Sequence, residues 1–161
     1  MKKNYNLYLG KAGHIMSEFL TRGWNVAIPE VDIGDDIFVV QDNNGILKRV
    51  QVKTSTSTLR KNGYSAQFMV PLTQLRNIVN IPVHYVFIVR NNDLWTKPLI
   101  IRQDYLRDHF ENEKFGSLHN GNLSLYFSYS KGKVKCSGLD ITKYLSDFTD
   151  FPLIGDDCNL K

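Results

Sequence analysis

The chain has 161 residues and a formal charge of +4, and 42% of its residues are hydrophobic. These values predict one folded domain over residues 1–161 and exclude disordered, collagen-like and coiled-coil classes. Two cysteines, Cys136 and Cys158, exclude a disulfide framework and favour a reducing compartment. Because neither a signal peptide nor an apolar run of about 20 residues occurs, we expect a cytoplasmic protein without membrane contact.

The charge is unevenly distributed along the chain. Residues 147–161 hold four aspartates and one lysine, a net −3, which leaves +7 on residues 1–146. A basic body favours a polyanionic partner, nucleic acid above all. We interpret the segment from about residue 147 as an acidic C-terminal tail that masks the basic surface or contacts a partner.

The hydrophobic pattern predicts a mixed α and β class, α/β (α+β), with a central sheet. A helix over 7–22 ends at Gly23, and a strand follows over 24–28. Two β-rich runs, 37–40 and 47–54, flank Asn44-Gly45, the strongest short hairpin signal. In the hydroxyl run 54–58, Ser55, Thr56 and Ser57 are expected to form a flexible polar loop, and the alternative is that they donate hydrogen bonds to a backbone phosphate. The later predicted elements are strands at 64–70, 84–89 and 94–101, helices at 72–79, 104–113 and 140–148, and a hairpin of 123–129 with 133–137.

The register of the first hairpin decides which side chains meet. A two-residue turn at Asn44-Gly45 would place Asp36 opposite Lys53, and a four-residue loop would place it opposite Gln51. In both registers Asp36, Gln51 and Lys53 share one face of the sheet, and Val50 and Val52 occupy the other. An odd-length loop or a bulge would break this parity.

A carboxylate, an amide and an ammonium on one face of a buried sheet are costly unless they are paired or functional. They suit metal-assisted phosphodiester hydrolysis, in which oxygen ligands hold a divalent ion and a lysine orients water or offsets phosphate charge. The structural alternative is a cross-strand pair of Asp36 with Lys53 beside a solvated Gln51.

Three segments resemble the core of the PD-(D/E)XK nuclease superfamily, in particular small bacterial branches that carry Gln-Val-Lys. They are Gly23-Trp24, the run Asp32-Ile33-Gly34-Asp35-Asp36-Ile37, and Val50-Gln51-Val52-Lys53-Thr54. The resemblance implies a restriction-endonuclease-like fold with a mixed central sheet flanked by helices. It also implies metal binding by Asp36, Gln51 and the Val52 carbonyl, catalysis by Lys53, Mg²⁺ as cofactor with Mn²⁺ as substitute, double-stranded DNA as substrate, and a homodimer.

Many members of that superfamily carry a glutamate on the first helix, next to a glycine, whereas here His14 follows Gly13. Glu18 lies one helical turn after His14 and is our candidate for the missing metal-binding and catalytic carboxylate. Asp32 and Asp35 are alternative ligands, although Gly34 between them is more typical of a turn.

Two basic groups are candidate nucleic-acid contacts. Lys48, Arg49, Arg60 and Lys61, with Ser55, are expected to border the site. Lys131, Lys133 and Lys135 alternate along a predicted hairpin, where they either track phosphates or protect an edge strand.

The sequence therefore predicts a Mg²⁺-dependent endodeoxyribonuclease. The alternative is a catalytically inactive relative that binds DNA or protein in a defence or toxin-neutralising system, which Gln51 and His14 favour. The histidines and cysteines lack zinc-site spacing, and no phosphate-binding glycine motif occurs, so no nucleotide cofactor is expected.

Overall fold

Two β-sheets and three helices form the described part of the chain, which in this computed structural model comprises residues 5–29, 36–41 and 44–154. The helices are α1 (Tyr5–Thr21), α2 (Leu72–Arg76) and α3 (Gln103–Asn112), and a 3₁₀ turn covers Thr142–Tyr144. The strands are β1 (Asn25–Ala27), β2 (Ile37–Gln41), β3 (Ile46–Thr56), β4 (Thr58–Arg60), β5 (Gly63–Pro71), β6 (Val83–Asn91), β7 (Leu94–Trp95), β8 (Leu99–Arg102), β9 (Ser117–His119), β10 (Asn122–Ser130), β11 (Lys133–Cys136) and β12 (Leu139–Asp140).

The first sheet has the order β1-β2-β3-β6-β7, and β8 also pairs with β6. Within it β3 and β6 are parallel and the other described pairings are antiparallel. The second sheet is antiparallel, with the order β12-β11-β10-β5-β4 and β9 beside β10. The predicted α+β class with a mixed sheet is confirmed.

A continuous stretch of chain joins the two sheets. Strand β3 leaves the first sheet at Thr56, and after Ser57 the chain continues as β4 of the second. The Ser57 N–H donates to the Arg90 carbonyl at 2.9 Å, which ties this crossing point to β6. The hydroxyl run therefore forms extended structure rather than the predicted loop, because β-branched threonines suit strands.

The larger hydrophobic core lies between the two sheets. Phe87 of the first sheet packs against Phe68 and Phe127 of the second, with ring centroids 5.1 and 5.2 Å apart. Leu75 of α2 and Leu106 of α3 are fully buried in the same core. Together these contacts fix the second sheet against one face of the first.

A smaller core covers the opposite face of the first sheet. Ile15 and Phe19 are four residues apart on α1, so they share a helical face and pack against the strand residues Val50 and Val52. Phe151, from the C-terminal segment, packs against Phe19 with the ring planes tilted by 51° and the ring centroids 4.7 Å apart. None of the helices in the described part of the chain has the length and apolarity needed to cross a bilayer.

The predicted helix over 140–148 is wrong. Asp140 belongs to β12, and its carboxylate accepts the Thr142 N–H at 2.9 Å, which is a turn contact. Ser146 then has φ of 54°, outside the helical region. The predicted strand over 94–101 is divided into β7 and β8 by residues 96–98.

Residues 147–154, the first part of the predicted acidic tail, pack on the body of the protein. Phe148 and Phe151 are buried in the smaller core. Pro152 accepts a 2.8 Å hydrogen bond from the Trp24 indole, and the Ile154 N–H donates to the Arg22 carbonyl at 2.9 Å. The rest of the predicted tail, 155–161, lies outside the described residues.

Candidate active site on the β2–β3 hairpin

The β2–β3 hairpin has the register of a four-residue loop. Ile37 lies opposite Val50 and Gln41 opposite Ile46, so residues 42–45 connect the strands, with 42 and 43 outside the described residues. The two-residue interpretation is wrong, since Phe38 lies opposite Arg49 rather than Gln51.

Side-chain hydrogen bonds close the longer loop. The Asn44 amide donates to Gln41 Oε1 at 2.8 Å and accepts the Ile46 N–H at 3.0 Å, while the Gly45 N–H donates to the Gln41 carbonyl. Gly45 has φ of 67°, a conformation that favours glycine. These contacts stabilise a loop that starts at Gln41 instead of the tight turn expected for Asn-Gly.

The alternation of faces along β3 follows the prediction. Val50 and Val52 are buried in the smaller core. Gln51 and Lys53 lie beside Tyr85 and Phe87 in the parallel register, so they face the other way, toward the side of the larger core. Gln51 is 8% exposed, and Lys53 is half-buried. An amide and an ammonium are thus held at the margin of a hydrophobic core.

Asp36 lies at an irregularity just before β2. Its N–H donates at 2.9 Å to the carbonyl of Val50, which is the residue opposite Ile37. Two consecutive residues thus face one residue of β3, as in a β-bulge. The parity argument therefore does not extend to Asp36.

The Asp36 side chain is instead positioned by the backbone of β3. Its Oδ2 accepts the Val52 N–H at 2.7 Å. A charge-assisted hydrogen bond of this length holds the carboxylate in a defined orientation. The carboxylate thus lies against β3 at the residue between Gln51 and Lys53.

The donor chemistry here fits a hard divalent cation. Asp36 supplies a carboxylate, Gln51 an amide oxygen and Val52 a backbone carbonyl, all oxygen ligands of the kind that Mg²⁺ prefers. A carboxylate has about four acceptor positions, so the bond from Val52 is compatible with metal binding. No group of three or more His, Cys, Asp or Glu residues suited to a metal occurs among the described residues. The alternative ligands Asp32 and Asp35 lie outside them.

Glu18 and His14 lie on α1. This helix packs through Ile15 and Phe19 on the face of the sheet opposite to Gln51 and Lys53. Glu18 is half-buried, and His14 stacks on Trp95 with ring centroids 6.4 Å apart. The His14 ring thus has an aromatic packing role, and metal binding by Glu18 stays a prediction.

The first basic group, expected to border the site, is divided between the two sheets. Lys48, Arg49 and Ser55 lie on β3, and Arg49 donates to the Ile81 carbonyl at 3.3 Å. Arg60 and Lys61 lie on β4 and in the turn after it, in the second sheet. The five residues are close in sequence to Lys53 but lie in two different sheets, because the chain passes from the first sheet to the second at Ser57.

His84 is a buried histidine whose environment the sequence does not reveal. It lies on β6 opposite Val50, and its Nε2 is 2.8 Å from Asp150 Oδ2. Burial lowers the pKa of His84 from its ordinary value of 6.5 and outweighs the raising effect of Asp150, while Lys48 and Arg102 lower it further. A cavity of about 200 Å³ lies beside it, lined by residues that include Arg102, Tyr105 and Asp150.

The lowered pKa of His84 predicts a loss of stability in mild acid. Below pH 6.5 the unfolded chain binds a proton that the folded chain resists, so stability is complete above that pH and falls as the pH drops toward the folded pKa. His84→Gln keeps an N–H donor but does not titrate. Between pH 7.5 and 5.5 we expect the Tm of the native protein to fall by a few degrees more than that of the variant. Equal losses in thermal melts would contradict this.

Comparison with known proteins identifies a fold. No protein-family model and no curated protein matches the chain. The solved structure of a bacterial homing endonuclease, I-Ssp6803I, is similar to it with a TM-score of 0.58 and 17% sequence identity. The similarity covers 92% of this chain and 91% of that one. The two chains thus share a fold along nearly their whole length.

Proposed function

We propose that the chain is a Mg²⁺-dependent endonuclease that hydrolyses phosphodiester bonds in double-stranded DNA. The observation that carries this proposal is the hydrogen bond from the Val52 N–H to Asp36, which holds a carboxylate against β3 between Gln51 and Lys53. The fold shared with a homing endonuclease supports the same reaction class. The net positive charge supports a polyanionic substrate.

The ligands in this proposal are the Asp36 carboxylate, the Gln51 amide oxygen and the Val52 carbonyl, with Glu18 as a candidate fourth. A bound Mg²⁺ or Mn²⁺ would supply positive charge to the scissile phosphate and lower the pKa of the attacking water. Gln51 is buried, and the Asp36 carboxylate accepts a backbone N–H. Both oxygen ligands are therefore held in place before a metal ion binds. Preorganised groups of this kind stabilise developing charge without reorganisation.

Lys53 has a separate role in the proposal. Its ammonium lies one strand period from Gln51 on the same face, and it is half-buried beside Phe87. Partial desolvation strengthens its attraction for a phosphate oxygen. We assign to it the orientation of the attacking water and the stabilisation of charge on the phosphate as the bond to the leaving oxygen breaks.

A cleavage assay tests the proposal. Supercoiled plasmid, linear plasmid and single-stranded DNA are incubated with the protein in Mg²⁺, in Mn²⁺ or in EDTA. We expect cutting of duplex DNA only with a divalent ion, and Lys53→Ala lowers the rate by about 10²-fold or more. The matched control, Lys114→Ala, removes an exposed lysine after α3 and leaves the rate unchanged. Cutting that persists in Lys53→Ala would contradict the assigned site.

The second candidate function is a catalytically inactive module that binds DNA or protein. The observation that favours it is Gln51 itself, because a neutral amide supplies one negative charge fewer than a carboxylate and so weakens binding of a hard ion. In the same assay this module would retard DNA in a gel yet cut none of the substrates with either metal. That outcome would overturn the nuclease proposal.

A further inference from the structure

The second sheet has one face in the core and one face toward solvent. Leu125 and Phe127 of β10 point into the core, whereas Tyr126, between them, is 46% exposed. Side chains in register with Tyr126 or two residues from it therefore share the solvent side. We call this set the exposed face; it includes Thr58, Arg60, Ser65, Gln67, Met69, Ser124, Tyr126, Ser128, Ser130, Lys133, Lys135 and Asp140.

The positive charge of the protein is concentrated on this sheet. Its strands and the turns between them, residues 57–71 and 117–140, hold five cations and one carboxylate, Asp140. Their formal charge of +4 equals that of the whole chain. The cations are Arg60 and Lys61 at one side of the sheet, and Lys131, Lys133 and Lys135 at the other.

Arg60 is held in position by neutral groups. Its Nε donates to Ser65 Oγ at 2.9 Å, a second guanidinium N–H donates to the Tyr126 hydroxyl, and the guanidinium carbon lies 5.8 Å from the Tyr126 ring centroid. Ser65 is only 1% exposed although it belongs to the exposed face. Hydroxyl partners orient the guanidinium without neutralising its charge, so the group suits a phosphate.

The lysines at the other side line an open groove. Lys133 and Lys135 alternate with the buried Val134 and Cys136, which confirms that both project from one face of the hairpin. Lys131 occupies the turn between β10 and β11. The groove has a volume of about 400 Å³ and is lined by Ser128, Ser130, Lys131, Lys133 and Lys135. Its polar lining contains hydroxyl and ammonium groups. One carboxylate, Asp140 of β12, lies in register beside Lys135, so the three lysines keep a net positive charge.

We propose that the exposed face of the second sheet is the surface that docks double-stranded DNA. The cations at its two sides contact phosphates, and the neutral polar side chains between them, Gln67, Tyr126 and Ser128, face base edges. A β-ribbon fits the major groove of a duplex, and amide and hydroxyl groups form hydrogen bonds with base edges there. The choice of duplex DNA as ligand rests on the proposed function.

The chain connects this surface directly to the candidate active site. Lys53 and Arg60 are seven residues apart across the continuous run from β3 to β4, so their Cα atoms are at most about 25 Å apart. One turn of duplex DNA is about 34 Å long. A single duplex is therefore long enough to contact the exposed face and the Asp36 site together.

The test measures DNA binding without cleavage. A labelled duplex of about three helical turns is titrated with protein in EDTA, by fluorescence anisotropy, between about 50 and 200 mM salt. The variant Lys131→Gln, Lys133→Gln, Lys135→Gln is compared with Arg76→Gln, Arg107→Gln, Lys114→Gln, which removes three cations from α2, α3 and the residue after Glu113. We expect the first variant to bind at least about 10-fold more weakly, with a salt dependence reduced by about two to three ion equivalents.

The control variant should bind within about two-fold of the native protein. Equal losses in both variants, or tighter binding of single-stranded DNA or RNA than of duplex, would overturn the proposal. Because the assay contains EDTA, it is independent of catalysis. If the native protein cuts no DNA but binds duplex more tightly than the triple-lysine variant does, only the nuclease proposal is wrong. If the triple-lysine variant cuts duplex DNA as fast as the native protein does, only the docking proposal is wrong. Thermal melts establish that both variants fold.

Discussion

Asp36→Asn is expected to abolish metal-dependent cleavage and leave the fold intact. The asparagine oxygen can still accept the Val52 N–H, which Asp36 Oδ2 now accepts at 2.7 Å, so the contact between residue 36 and β3 is kept. The negative charge that would hold the divalent ion is lost. We expect the cleavage rate to fall by about 10²–10³-fold or more. Asp36→Ala should lose activity too, and also about 1–3 kcal/mol of stability, because the buried N–H of Val52 loses its acceptor.

Two measurements check this expectation. Single-turnover cleavage of duplex DNA gives the rate, and thermal melts with and without Mg²⁺ give the stabilisation by bound metal. The native protein should gain Tm with Mg²⁺, and Asp36→Asn should gain none. Asp93→Asn, at an exposed turn position, is the matched control and should keep both properties. An Asp36→Asn variant that cuts DNA at the native rate would remove Asp36 from the site.

Local sequence patterns predicted the strand that carries the candidate site. Val50 and Val52 alternate with Gln51 and Lys53, and a period of two is set by strand geometry alone. The position of Asp36 was not predictable in this way. It depends on the irregularity before β2, where Asp36 and Ile37 both face Val50, and on the bond from the Val52 N–H to the Asp36 carboxylate, contacts that no periodicity records.

The second sheet shows the other limit of sequence reasoning. Its central hairpin was predicted from alternation, but β4 was not, because β4 has only three residues and follows a run of serine and threonine that is typical of a loop. β4 pairs with β5, and the crossing at Ser57 is fixed by β6. The wrong helix over 140–148 has the same origin. Ile141, Tyr144, Leu145 and Phe148 have helical spacing, yet the first three pack on the larger core, whereas Phe148 packs in the smaller one.

The His84–Asp150 contact was also beyond sequence reasoning. The two residues are 66 positions apart, and Asp150 belongs to the segment interpreted as an acidic tail. Phe148 and Phe151 bring it back onto the sheet. Burial of aromatic side chains thus outweighs the tendency of clustered aspartates to stay in solvent.

Gln51→Glu is expected to lower the Tm without divalent ions and to increase the Tm gain from Mg²⁺. Gln51 is 8% exposed beside Tyr85, so a carboxylate there would lose hydration and its pKa would rise above the ordinary value. Below about pH 4 the group is protonated in both states and costs little. As the pH rises through its unfolded pKa the penalty grows, and at neutral pH we expect about 1–3 kcal/mol.

A divalent ion should reverse the penalty, because the introduced carboxylate would then be paired with the metal. Thermal melts at about pH 4 and pH 8, with and without Mg²⁺, separate the two effects. Asn80→Asp, which makes the same amide-to-carboxylate change at an exposed loop position after α2, is the control and should show neither. If Gln51→Glu also speeds cleavage, the native amide limits the affinity for the divalent ion. That result would favour the nuclease proposal over the proposal of an inactive binding module. If Mg²⁺ does not restore its stability, Gln51 does not face the metal and the proposed ligand set is wrong.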